Sequence, residues 1–169
     1  YIPICEDGML DLSNPHKYFT DKTKMVSVIH QSNVFGTVNP ISDIVNLARD
    51  VDAKVFVDGA QSVPHQRVNV EKLGCDFFAF SGHKMMGPTG VGVLYAKPEL
   101  LEKMSPFMGG GEMIREVTLE KSTWNDIPWK FEAGTPNIAQ VIGLGTAIDY
   151  LNKIGINTIT IHEKELKNY

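Results

Sequence analysis

Cysteine is scarce, and its scarcity sets the first limits. Cys5 and Cys75 are the only 2 in 169 residues, too few and too scattered for a disulfide framework or a metal site. Cys75, inside 73-LGCDFFAF-80, reads as a small buried hydrophobe. Cys5 has no basic neighbour to activate it. Nothing argues for secretion, so a reducing cytoplasm is the expected compartment. An excess of positive charge is lacking too. The 16 Lys and Arg face 20 Asp and Glu, for a net charge of -4. That balance offers no electrostatic attraction to nucleic acid or an anionic membrane, so neither is an expected partner. No apolar run approaches the roughly 18 residues needed to span a bilayer, and no basic segment precedes an apolar one as in a secretory signal.

What is present is one domain's worth of chain with an ordinary 43% of hydrophobic residues. The β-branched run 24-KMVSVIH-30 reads as a buried strand. After loop chemistry in 31-QSNVFGTVNP-40, Asn39 is the expected N-cap and Pro40 the first helical residue of 40-PISDIVNLARDV-51. Strands follow at 54–57, 76–80 and 91–97, and 98-PELLEKM-104 is a short helix. This alternation predicts an α/β fold, a mostly parallel sheet with flanking helices.

From 105 to 136 the pattern dissolves, which points to a functional loop or an interface. Trp124, Trp129 and Phe131 in it read as interface or core anchors. The segment 137-NIAQVIGLGTAIDYLNKIG-155 is a helix with Asn137 as cap and Gly155 as stop. Gly143 and Gly145 inside it imply close packing of another backbone. A last helix starts near Asn157. Neither 1-YIPIC-5 nor 158-TITIHEKELKNY-169 has the loose polar composition of a free terminus. The chain therefore reads as a central piece of something longer.

In open α/β sheets, ligands bind outside the carboxyl ends of the strands. Three predicted strand ends carry polar groups: His30, Gln31 and Asn33; Asp58 and Gln61; Ser81, His83 and Lys84. Parallel neighbours would bring them to one rim. Lys84 draws most attention, because 77-FFAFSGHKMMGPTGVGVLYA-96 carries this single lysine to the end of an apolar run. Desolvation or a neighbouring cation lowers a lysine pKa and makes the amine a nucleophile. An Asp on the adjacent strand would suit the pyridinium nitrogen of pyridoxal phosphate. From spacing alone, a partly buried ion pair between Asp58 and Lys84 is the favoured reading, and Asn33 and Gln61 could be turn residues bonding the backbone.

Five blocks together change the balance: 30-HQSNVFGTVNPI-41, 58-DGAQSVPH-65, 81-SGHKMMGPTGVGVLY-95, 109-GGGEMI-114 and 131-FEAGTPN-137. In this order the chain resembles the class V aminotransferase family of pyridoxal-phosphate enzymes, and within it the cysteine desulfurases of the SufS/CsdA group. The resemblance implies part of the large, cofactor-binding domain of a fold-type I enzyme over residues 1–155, with 156–169 starting a helix toward a further domain. It implies that Lys84 forms the Schiff base with the cofactor and then shuttles protons, that Asp58 pairs with the pyridine nitrogen, and that Gln61 bonds the ring phenolic oxygen. Ser81 and His83 would contact the phosphate and Asn33 the substrate carboxylate. Thr135 would reach the phosphate of the partner subunit's cofactor, making the active site a property of a homodimer.

The implied reaction converts L-cysteine to L-alanine and leaves a persulfide for a sulfur-acceptor protein, in iron–sulfur cluster assembly. The family's phosphate cup, ring-stacking histidine, persulfide cysteine and carboxylate-clamping arginine have no match here. Cys5, Cys75, Arg49, Arg67 and Arg115 do not fall in those contexts. The chain alone is thus expected to be inactive. A selenocysteine lyase, another lyase of the family, and a non-catalytic structural piece are the alternatives.

Overall fold

Short β-branched and aromatic runs form the central strands Met25–Ile29 (β1), Lys54–Asp58 (β2), Phe77–Ser81 (β3) and Gly92–Ala96 (β4). These come from a computed structural model that describes all 169 residues. The sheet order is β1-β2-β3-β4. The first three strands are parallel, with Ile29 opposite Asp58 and Asp58 opposite Ala79, and β4 returns antiparallel. The mostly parallel α/β architecture expected from the alternation is the one observed.

Helix α1 (Ile41–Arg49) carries the β1-to-β2 crossover. Ile41, Ile44, Val45 and Ala48 are all buried, spaced to form one helical stripe, and they pack with Val55, Val57, Cys75 and Phe78 in the main core. Cys75 is fully buried there, which pushes its thiol pKa up. A short α2 (Val70–Leu73) is capped by the Asn69 side chain, which accepts from the Lys72 amide at 2.9 Å. Asn39 does not cap α1. Pro40 occupies the N-cap position, and the Asn39 amide donates instead to the Ile29 carbonyl at 2.8 Å. Its side chain ties the loop back to the end of β1, because a long-range partner competes successfully with a local one.

Helix α3 (Pro98–Lys103) follows β4. The segment 105–136 is less irregular than its sequence suggests: Ile114–Val117 (β5) and Ser122–Trp124 (β6) form an antiparallel pair. Four residues opposite three leave too short a pattern for periodicity to register. Lys130 from this segment donates to the Leu101 and Glu102 carbonyls, both at 3.0 Å. It satisfies the carboxyl end of α3 and places a cation where the helix dipole is negative. Trp124 and Trp129 are exposed, so neither is a core anchor.

Helices α4 (Ile138–Ile154) and α5 (Ile156–Asn168) are separated at Gly155, whose φ is 89°. Asn137 does not cap α4 with its side chain; that amide donates to the Gly90 carbonyl. A Cβ at Gly143 would lie 3.1 Å from the Pro88 ring, so a side chain rather than another backbone packs there, and Gly145 has open space. No helix is long and apolar enough to cross a membrane.

Candidate functional site

Parallel pairing aligns the carboxyl ends of β1, β2 and β3, as the alternation requires. The ladder continues past the strands: the His30 amide donates to the Asp58 carbonyl at 2.8 Å, and the Gly59 amide to Ala79 at 2.8 Å. Asp58 thus stands on the middle strand of the three. Its Oδ1 accepts from the Ala60 amide at 2.9 Å, which starts the turn that carries Gln61. Only glycine fits at position 59, because a Cβ would lie 1.9 Å from Phe78 Cζ. His30 meets the same Phe78 ring edge-on at 6.3 Å and 81°. It is buried, and burial lowers its pKa from the ordinary 6.5.

Lys84 sits on a 3-10 turn, Gly82–Met85, that continues β3. Gly82 and Met85 are buried, whereas His83 and Lys84 are exposed. Met85 packs with Leu144 and Leu151 of α4 in a second small core. The turn closes tightly, with the Gly87 amide donating to Gly82 at 3.0 Å. Lys84 is therefore fixed through its backbone and its buried neighbour. It is not desolvated by the apolar strand before it, as the sequence pattern suggested. Lys130 is the buried lysine of this chain. Met85 thus has a positioning role that the doubled Met85-Met86 in a polar turn could have signalled.

The ion pair favoured on spacing does not form. The chain's four salt bridges lie elsewhere, and Asp58 and Lys84 are both exposed without a charged partner. Nor do Asn33 and Gln61 bond the backbone. In the β1–α1 loop it is the Ser32 hydroxyl that accepts from the Val34 and Phe35 amides, at 3.2 and 3.1 Å. Ser81 makes no side-chain cap for the turn that it precedes. The rim thus holds a carboxylate, an amine, two carboxamides, a hydroxyl and an imidazole, with little internal commitment.

Thr135 lies on a separate segment of the chain, between the β5–β6 hairpin and α4. It follows Gly134, whose amide donates to Gly111, and precedes Asn137, which bonds Gly90. No hydrogen bond joins it to Asp58 or Lys84.

The comparisons with known proteins bear on the family and the fold. The aminotransferase class-V family model matches residues 1–169. The chain is 55% identical to a cysteine desulfurase of Haloferax volcanii over 169 residues, 100% of this chain and 40% of that protein. It is 52% identical to one from Dickeya dadantii, covering 99% of this chain and 41% of that protein. Among solved structures, the cysteine desulfurase CsdA of Escherichia coli aligns with a TM-score of 0.89 and 42% identity, over 93% of this chain and 39% of that one. The apo cysteine desulfurase of Thermococcus onnurineus aligns with a TM-score of 0.93 and 41% identity, over 99% and 42%. The chain thus spans about 40% of the length of the curated relatives that it matches.

Proposed function

The chain belongs to the aminotransferase class-V family, and on that premise we propose that it is the lysine-bearing part of a pyridoxal-phosphate-dependent cysteine desulfurase. The observation that carries the reading is the failure of Asp58 and Lys84 to pair. Opposite charges left free on neighbouring strand ends are what a ligand with an aldehyde and a basic nitrogen would need. The donor set fits such a cofactor: an amine, a carboxylate one strand away, and the uncommitted Gln61, Ser81 and His83 around them.

Pyridoxal phosphate, when bound, supplies an electron sink for charge developing at the substrate α-carbon. Lys84 is the amine that would anchor its aldehyde carbon and later move a proton at that α-carbon. Asp58 would hold the proton on the pyridine nitrogen, and Gln61 would donate its amide to the phenolic oxygen. Ser81 and His83 would bind the phosphate, and Asn33 would orient the carboxylate of L-cysteine. Thr135, which makes no hydrogen bond to Asp58 or Lys84 in its own chain, would contact the cofactor of a partner subunit. The exposed Phe107 and Trp129 give such a homodimer an apolar surface to bury.

The sulfur would leave as a persulfide on a cysteine outside these 169 residues. Cys75 is buried with its thiol pKa raised, the opposite of an activated nucleophile. A sulfur-acceptor protein, a role in iron–sulfur cluster assembly and a cytoplasmic setting complete the proposal. So does the division into 1–155 as cofactor domain and 156–169 as the start of a connection to another domain.

The test is Lys84→Ala in the intact protein. Turnover of cysteine to alanine should be lost, borohydride should no longer fix the cofactor on the peptide containing residue 84, and the unfolding midpoint should stay. Borohydride labelling of that peptide at the wild-type level would reject Lys84 as the anchor.

A further inference from the structure

The turn that carries Gln61 is wound as one body. The Gly59 carbonyl accepts from the Ser62 and Val63 amides at 3.0 and 3.1 Å, and from the Ser62 hydroxyl at 3.2 Å. Ser62 in turn accepts from the His65 and Gln66 amides at 3.1 and 2.9 Å. Ser62 is fully buried, so this coil has no slack against solvent. Asp58 begins it and His65 lies near its far end.

His65 is held from the other end of the sequence. Its Nδ1 lies 2.7 Å from Glu163 Oε1, and its carbonyl accepts from the Thr160 hydroxyl at 2.7 Å. Both partners belong to α5. The same helix sends Ile156 and Ile159 against the small core that contains Met85, the neighbour of Lys84. A groove of about 420 Å³ between these parts is lined by Lys84, His65, His162, Glu163, Met86 and Thr158, among others. Helix α5 therefore touches the far end of the coil that begins at Asp58, through polar contacts with His65, and the Lys84 turn through apolar ones.

We propose that His65 is a positioning residue: through Glu163 and Thr160 it couples the placement of α5 to the turn that holds Asp58 and Gln61. The proposal rests on the desulfurase reading for its consequence but not for the link itself. A shift of α5 pulls on the His65 end of a hydrogen-bonded coil, and a coil without slack passes that displacement to the other end. The groups displaced are those assigned to the cofactor's ring nitrogen and phenolic oxygen, so the ring's electronic state should respond to contacts made by α5.

The experiment uses the intact protein with His65→Ala, Glu163→Ala and the double variant. Hydrogen exchange on the cofactor-free protein reads the link alone. Each single variant should speed exchange of the amides at positions 62, 63, 65 and 66 roughly tenfold, and the double variant should do no more than the larger single one. The pH midpoint of the bound cofactor's visible band reads the consequence, and should move in the same direction in all three. Unchanged exchange, or effects that sum in the double variant, would overturn the link. Faster exchange with an unmoved band midpoint would reduce His65 to a structural role and overturn the coupling. A wild-type protein that forms no visible band would defeat the desulfurase reading instead, and the exchange data alone would then decide the link.

Discussion

The two ends of the sheet treat opposite charges differently. At the amino ends of β2 and β3, Asp76 accepts from the Val55 amide at 2.8 Å and from Lys97 Nζ at 2.8 Å. These side chains are 14% and 29% exposed respectively. At the carboxyl ends, Asp58 and Lys84 stand exposed without a charged partner. Both ends offer an aspartate and a lysine on neighbouring elements. Only the first two form an ion pair, and it ties together β2, β3 and the end of β4, whereas Asp58 accepts only from Ala60 in its own turn. A sheet needs such ties once, and charges left unpaired at the other end remain available to a ligand.

Three substitutions test whether the ends are as different as this. The largest effect is expected from Asp58→Asn in the intact protein. The amide keeps the Oδ1 that accepts from Ala60 but cannot hold a proton on a ring nitrogen. Turnover should fall on the order of a hundredfold, with stability changed by less than about 0.5 kcal/mol. Steady-state kinetics beside a denaturant curve checks both, and undiminished turnover would erase the functional half of the comparison.

At the other end, Asp76→Ala should do the reverse. It strands the Val55 amide and leaves Lys97 partly buried without its counter-charge, at a cost of about 2–4 kcal/mol. The bound cofactor's visible spectrum, recorded on the fraction that remains folded, should match wild type. A spectral change without a loss of stability would mean that the two ends are not separable.

The smallest effect belongs to His30, behind the carboxyl rim. Burial holds its pKa below 6.5 in the folded chain. Between 6.5 and that lower value the unfolded chain binds more protons than the folded one. The stability due to a neutral His30 is thus complete above 6.5 and falls away as the pH drops through this window, by at most about 1.4 kcal/mol per pH unit. Denaturant midpoints at pH 8 and pH 5 should differ less for His30→Gln than for wild type. An equal difference in both proteins would show that His30 contributes none of the acid sensitivity.

Much of this was legible before any coordinates. The stripe Ile41, Ile44, Val45 and Ala48 announces α1, because helical periodicity is a local property. The strand ends at Asp58 and Ser81 are visible because an apolar run meets a polar break. The β5–β6 hairpin was not visible, since its strands are too short to alternate convincingly. Asn39 looked like a helix cap because Asn often is one. It bonds Ile29, ten residues away, because the folded loop presents that carbonyl. The contact between His65 and Glu163 spans 98 positions, and neither residue carries a local mark of the other.

By itself, then, the sequence determined the order of the four central strands and the long helices, the family, and which polar side chains stand where those strands end. Those properties depend on residues close in the chain and on blocks that read in order. Only the tertiary structure decided which charges pair. Lys97 meets Asp76 while Lys84 does not meet Asp58, and Lys130 is the buried lysine rather than Lys84. Pairing and burial depend on distances between distant segments, set when β4 returns beside β3 and when Met85 anchors its turn against α4. No local pattern encodes those distances, because they arise from packing the elements together.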